Sequence, residues 1–79
     1  MNGFEPKTAF LQNGVTFNVF QRTVGKYGEL GTWSIAYAMK AVDKKDAVVK
    51  LKEKMPWLRP VDNTIYGGFG KQYYVSQVS

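Results

Sequence analysis

Residues 32–55 read TWSIAYAMKAVDKKDAVVKLKEKM, and the change of rhythm inside that stretch decides the fold. From Thr32 to Met39 apolar side chains recur at every second position. Trp33, Ile35, Tyr37 and Met39 fall on one side, and Ser34, Ala36 and Ala38 on the other. A period of two belongs to a β-strand, and the small residues of the second side let another element approach closely. From Asp43 the period lengthens. On a wheel of about 100° per residue, Ala47, Val48, Leu51 and Met55 fall in one stripe, with Lys45, Lys52 and Glu53 opposite. Asp43 suits the N-cap with Asp46 three positions on, and Val42 and Ala47 occupy the two positions of a hydrophobic staple. Pro56 ends the run, because the residue before a proline is pushed out of the helical region. A strand over 32–41 and a helix over 43–55 follow.

On the N-terminal side, Asn13-Gly14 is a pair that accepts positive φ at both centres of a type I′ hairpin turn. It predicts strands over 7–12 and 15–22, with Phe10 opposite Phe17. In the second of these Val15, Phe17 and Val19 alternate with Thr16 and Asn18. Gly25, Gly28 and Gly31 mark 23–31 as a loop or wide hairpin tip. On the C-terminal side, Thr64-Ile65-Tyr66 reads as a short strand, Gly67–Gly70 as a tip, and 72–78 as a longer strand. The fold class expected is α+β: an antiparallel sheet of four to five strands, with a single helix packed on one face. The order is a three-strand meander, one helix, then one or two strands. A small five-stranded barrel with one helix is the alternative. The 79 residues make a single domain, 1–79, since nothing resembling a linker divides them.

Composition narrows the function. There is no Cys and no His, which removes disulfides, thiolate–imidazole and Ser-His-Asp catalysis, and the usual Cys/His zinc sites. The acids Glu5, Glu29, Asp43, Asp46, Glu53 and Asp62 show no spacing that brings two or three together for metal-assisted hydrolysis. Gly25-Lys26 and Gly70-Lys71 lack the glycine spacing and the Ser or Thr of a phosphate loop. No enzyme, cofactor or metal is expected. No run reaches 18 apolar residues and the first residues lack the layout of a signal peptide, so the expected location is cytoplasmic, with no membrane partner.

What remains is a surface. Aromatic residues make up 15% of the chain and the formal charge is +5, a combination that favours adhesion to an acidic or mixed partner. Phe10, Phe17 and Tyr37 are assigned to the interior; Phe20, Tyr27, Tyr66, Phe69 and Tyr74 are candidates for exposure. The binding residues proposed from sequence are Lys45, Lys52, Trp57, Arg59, Tyr66, Phe69, Lys71 and Tyr74. Trp57 either clamps the helix end onto the sheet or stands out beside Arg59 as an anchor.

The segment 67–74, Gly-Gly-Phe-Gly-Lys-Gln-Tyr-Tyr, resembles the RNP1 strand of RNA-recognition domains in its Gly-Phe-Gly followed by aromatics. It departs from that pattern where Gly67 replaces a basic residue and where Lys71 and Gln72 take an aromatic and an aliphatic position. One helix after three strands also departs from βαββαβ order. In general plan the chain is similar to small accessory proteins of phages and mobile elements, anti-CRISPR inhibitors among them. That similarity implies a non-enzymatic inhibitor or modulator that docks on a protein or nucleoprotein partner. The alternative is a direct RNA- or DNA-binding module with a basic, aromatic surface and little sequence preference.

Overall fold

The computed structural model describes residues 14–78. Its elements are β1 (Val15–Thr23), β2 (Ser34–Ala41), α1 (Lys44–Lys54), β3 (Arg59–Pro60), β4 (Tyr66–Gly68) and β5 (Lys71–Gln77). The strands form one antiparallel sheet in the order β2-β1-β5-β4-β3. This is the α+β architecture expected, and among the described residues the sheet is open rather than a closed barrel, with β2 and β3 at opposite edges.

Alternation in β1 buries Phe17 and Val19 on one face, and β5 supplies Tyr73 and Val75 to the same face. Helix α1 covers it. Ala47, Leu51 and Met55 join those four side chains, with Ala41 and Leu58, in one core; Val15, Tyr37, Met39, Val48 and Tyr66 pack around it. The stripe read from the sequence is therefore the stripe that is buried. The predicted strand over 7–12 and its Phe10 lie outside the described residues. Phe17 has Met39 of β2 and Gln77 of β5 as its cross-strand neighbours.

The helix start behaves as its sequence requires. The Asp46 amide donates to Asp43 Oδ1 at 2.8 Å, and Asp46 Oδ2 accepts the Val42 amide at 2.9 Å. This reciprocal arrangement satisfies amides that a helix N-terminus leaves unpaired. Lys50 Nζ reaches Asp46 Oδ2 and the Lys40 carbonyl, both at 3.2 Å, tying the exposed flank of α1 to the end of β2. The Val42 amide, and then Lys50, hold the Asp46 carboxyl below its usual range.

Two features depart from simple alternation. In β2 the register skips a residue: Val19 faces Tyr37, but Phe20 faces Ile35. Ala36 is thus the extra residue of a β-bulge. Trp33 and Ile35, expected beside Tyr37 and Met39, are turned to the other face. Strand β3 is a two-residue pairing of Arg59 with Gly67 and Pro60 with Tyr66. The loop after it is pinned by Asp62 Oδ1, which accepts the Thr64 and Ile65 amides at 2.8 and 3.0 Å. These amides, Thr64 first, hold the Asp62 carboxyl below its usual range.

Tyr37 carries a buried hydroxyl with no hydrogen-bond partner among the described residues. Burial, and then the neighbouring Tyr73, push its pKa up. Leaving a buried hydroxyl unpaired costs about 1–3 kcal/mol, whereas its ring still packs. Tyr37→Phe is therefore expected to keep or raise stability, by up to about 1 kcal/mol. Urea denaturation checks this, and a marked fall in the midpoint would reveal a partner for the hydroxyl.

Candidate functional site

The face of the sheet turned away from α1 has no element covering it among the described residues. Strand register arranges its side chains in rows. One row runs Arg59, Gly67, Gln72 and Arg22 across β3, β4, β5 and β1. The next runs Tyr74, Phe20 and Ile35, and the third Ser76, Asn18 and Ala38. Phe20 and Tyr74 stack with centroids 4.8 Å apart and planes 8° from parallel. Trp33 meets the edge of Tyr74 at 4.6 Å, and the Arg22 guanidinium lies 4.2 Å over the Trp33 ring. Arg22 Nε also donates to Gln72 Oε1 at 2.9 Å, which fixes the cation in place. The rings hold one another in position, half-buried, while Ile35 beside them remains 56% exposed.

The helix-side face carries a second arrangement, past the end of α1. The tight turn joining β4 to β5 has Phe69 and Gly70 at its centre, with φ +53° and +76°. Positive φ at both central residues is the type I′ geometry, which Asn-Gly fills with least strain. Phe69 pays a conformational penalty of roughly 1–2 kcal/mol to sit there, and its ring is 85% exposed. Trp57 meets that ring at 5.7 Å and 65°. It can do so because Gly68 has no side chain: a Cβ there would lie 2.9 Å from Trp57 Cδ1. Trp57 is accordingly both clamp and exposed edge. Lys71 follows the turn, opposite Gly68 on one side and Thr23 on the other. Gln21, Arg22, Thr23, Thr32, Ser34 and Lys71 line a shallow, open depression of about 100 Å³.

The residues proposed from sequence are thereby divided. Trp57, Phe69 and Lys71 come together on the helix side. Tyr74 belongs to the opposite face, with Arg59 at that face's β3 edge. Lys45 and Lys52 are exposed on the solvent side of α1, and Lys52 Nζ lies 5.8 Å from the Tyr66 ring. Tyr66, expected to be exposed, is half-buried against the core, because its register partner is the buried Tyr73. Arg22, Trp33 and Ile35 on the uncovered face, and Thr23 and Thr32 in the depression, were not singled out from sequence. For Trp33 and Ile35 the alternation pattern pointed the wrong way, because nothing in the residue types of β2 marks Ala36 as a bulge.

The acids occupy local positions. Asp46 caps α1, Asp62 pins a loop, and Glu29 Oε1 accepts the Tyr27 amide at 2.8 Å in the β1–β2 hairpin tip. Its own amide, and then that of Tyr27, hold the Glu29 carboxyl below its usual range. Among the described residues no three carboxylates converge, and no helix is long and apolar enough to cross a membrane. No protein-family model, curated protein or solved structure matches the chain.

Proposed function

We propose that the chain is a non-enzymatic binding domain, an inhibitor or modulator that docks its uncovered sheet face on a protein or nucleoprotein partner. The observation carrying this reading is the prepacked cluster of Phe20, Trp33 and Tyr74, with Ile35 protruding beside it. Aromatic residues and arginine are the side chains that anchor interfaces. Rings already locked against one another lose little rotamer freedom on binding, which favours affinity. Asn18, Ser76 and Ala38 leave the adjoining row low, so a partner surface can approach the sheet. Arg22 and Arg59 provide charge at the edge of the patch.

Ile35 is exposed and lies on β2, an edge strand among the described residues, so Ile35→Asp tests the surface without entering the core. Tagged wild-type chain recovered from its native host is expected to carry a partner in fixed stoichiometry. The Ile35→Asp chain, with an unchanged circular dichroism spectrum, is expected to lose at least tenfold in affinity, about 1.4 kcal/mol. Equal retention of that partner by both chains, or no stoichiometric partner for either, would overturn the reading.

A further inference from the structure

The helix-side row has a chemistry of its own, and it does not depend on the docking of the opposite face. Thr23, Thr32 and Ser34 bring hydroxyls to the depression, Gln21 an amide and Lys71 an ammonium. None of these five side chains is engaged in a hydrogen bond or ion pair among the described residues. Among the described residues no carboxylate lines the hollow. Arg22, held by Gln72, completes the lining; two cations among neutral donors are a setting for an oxyanion, and hydroxyls with lysine are common ligands of phosphate oxygens. One strand away stands the Trp57–Phe69 pair. Residues paired across adjacent antiparallel strands lie about 4.5–5.5 Å apart. Gly68, Lys71 and Thr23 are paired in series, so the aromatic pair, the cation and the hydroxyls form a line across the sheet. The spacing is held by the backbone: the Val24 amide donates to the Gly70 carbonyl at 2.8 Å, and that of Gly31 to the Thr23 carbonyl at 2.9 Å.

We propose that this row is a binding site for single-stranded nucleic acid. A phosphate sits in the depression against Lys71 and the hydroxyls, and the adjacent base stacks on Phe69. Three observations favour that ligand over a purely acidic one. Phe69 occupies a backbone position where Asn or Gly would relieve strain, and such strain persists where the side chain has a use. Its ring is 85% exposed, with Trp57 bracing its edge, which is the form of a stacking platform tolerant of any base. The hairpin tip that follows Thr23 along the chain carries a second such pair: Tyr27 is 84% exposed and Lys26 Nζ lies 5.7 Å from its ring. That second aromatic–cation pair suits a strand of several nucleotides better than one free nucleotide.

The probe is a fluorescein-labelled thymidine decamer, with thymidine monophosphate, the duplex of equal length and a poly-glutamate decamer as competitors. Wild-type chain is expected to bind the decamer at low salt. The logarithm of affinity should fall with the logarithm of salt concentration by about 0.7 for each phosphate neutralised. Phe69→Asn fits the turn better than phenylalanine, so its thermal midpoint is expected to rise while affinity falls at least fivefold. Lys71→Gln should lower affinity and flatten the salt slope by about 0.7. Ile35→Asp, on the opposite face, should bind the decamer as wild type does, which separates this site from the docking surface. The proposal is overturned by absence of binding at low salt, or by equal affinity of Phe69→Asn and wild type. Competition by poly-glutamate as strong as by unlabelled decamer would reduce the site to a bare cation. Equal competition by the monophosphate would reassign it to free nucleotides.

Discussion

Leu51→Asp is expected to abolish the fold, giving a collapsed amide proton dispersion and an unfolded far-ultraviolet spectrum at room temperature. Leu51 has no solvent exposure and belongs to the core cluster in which α1 meets Phe17, Val19, Tyr73 and Val75. Removing a buried leucine side chain costs about 2–5 kcal/mol from lost burial and the cavity left behind. An aspartate adds the desolvation of a charge, and among the described residues no charged side chain is buried in the core to receive it. A domain of this size has a total stability of roughly 4–12 kcal/mol, so the two losses together exhaust it. Lys52→Glu, one residue on, faces solvent. It removes a cation 5.8 Å from the Tyr66 ring and little else, so the fold is expected to stand with a change of about 0.5 kcal/mol or less. Equal damage from the two substitutions would mean that α1 presents a different face to the sheet.

That contrast was legible from sequence because every signal for α1 is local. Its cap, its staple and its stripe lie within one stretch of 14 positions, 42–55, and need no knowledge of what the helix touches. Strand β1 was legible for the same reason, through the alternation of Val15, Phe17 and Val19 with Thr16 and Asn18. Other parts were hidden by contacts distant in sequence. Gly67 and Gly68 read as part of a loose tip, yet both lie in β4. Each gives room to a residue from elsewhere, Val61 against Gly67 and Trp57 against Gly68. The turn proper is Phe69-Gly70, which residue preference disfavours at its first position. Strand β3 is too short for a period to appear, and one of its two residues is a proline. The insertion of β5 beside β1, which gives Phe17 its second neighbour, is likewise invisible to a reading that pairs strands through the nearest turn.

The candidate site was legible in its ingredients and not in its grouping. Of the α1 lysines, Lys52 lies 5.8 Å from the Tyr66 ring and Lys54 4.0 Å from the Tyr37 ring, rings that belong to neither aromatic arrangement. Trp57, Phe69 and Lys71 carry no shared sequence signal, yet they meet at one place because a two-residue turn joins β4 to β5 and Trp57 lies over Gly68. The uncovered face depends on a feature with no compositional mark, the bulge in β2.

The bulge leads to an unusual pair of outcomes for single-residue deletions. Removing one residue from a regular strand reverses the face of every side chain on one side of the cut. Deletion of Ala36 is expected to do the opposite and restore a regular ladder. Tyr37 already faces Val19, and Ile35 already faces Phe20, so closing the gap leaves both partners in place. Trp33 keeps its position under Arg22, and stability should change by about 1 kcal/mol or less. Deletion of Ala38 has no such relief. With Met39 and Ala41 kept in register, Tyr37 moves opposite Asn18 on the uncovered face, and Ala36 falls opposite Val19 against the core. The core then loses an aromatic ring and gains a methyl group, a loss of about 3 kcal/mol on the scale of aromatic-to-alanine substitutions. Urea denaturation of the two chains measures the difference, and partner binding gives a second readout. The chain lacking Ala36 keeps Ile35 beside Phe20 and should dock as wild type does. The chain lacking Ala38 puts Tyr37 among the small residues Asn18 and Ser76, and should not. Equal destabilisation by both deletions would show that Ala36 is a regular member of the ladder. Trp33 and Ile35 would then rejoin the face of Tyr37, and the docking surface would lose two of its four apolar side chains.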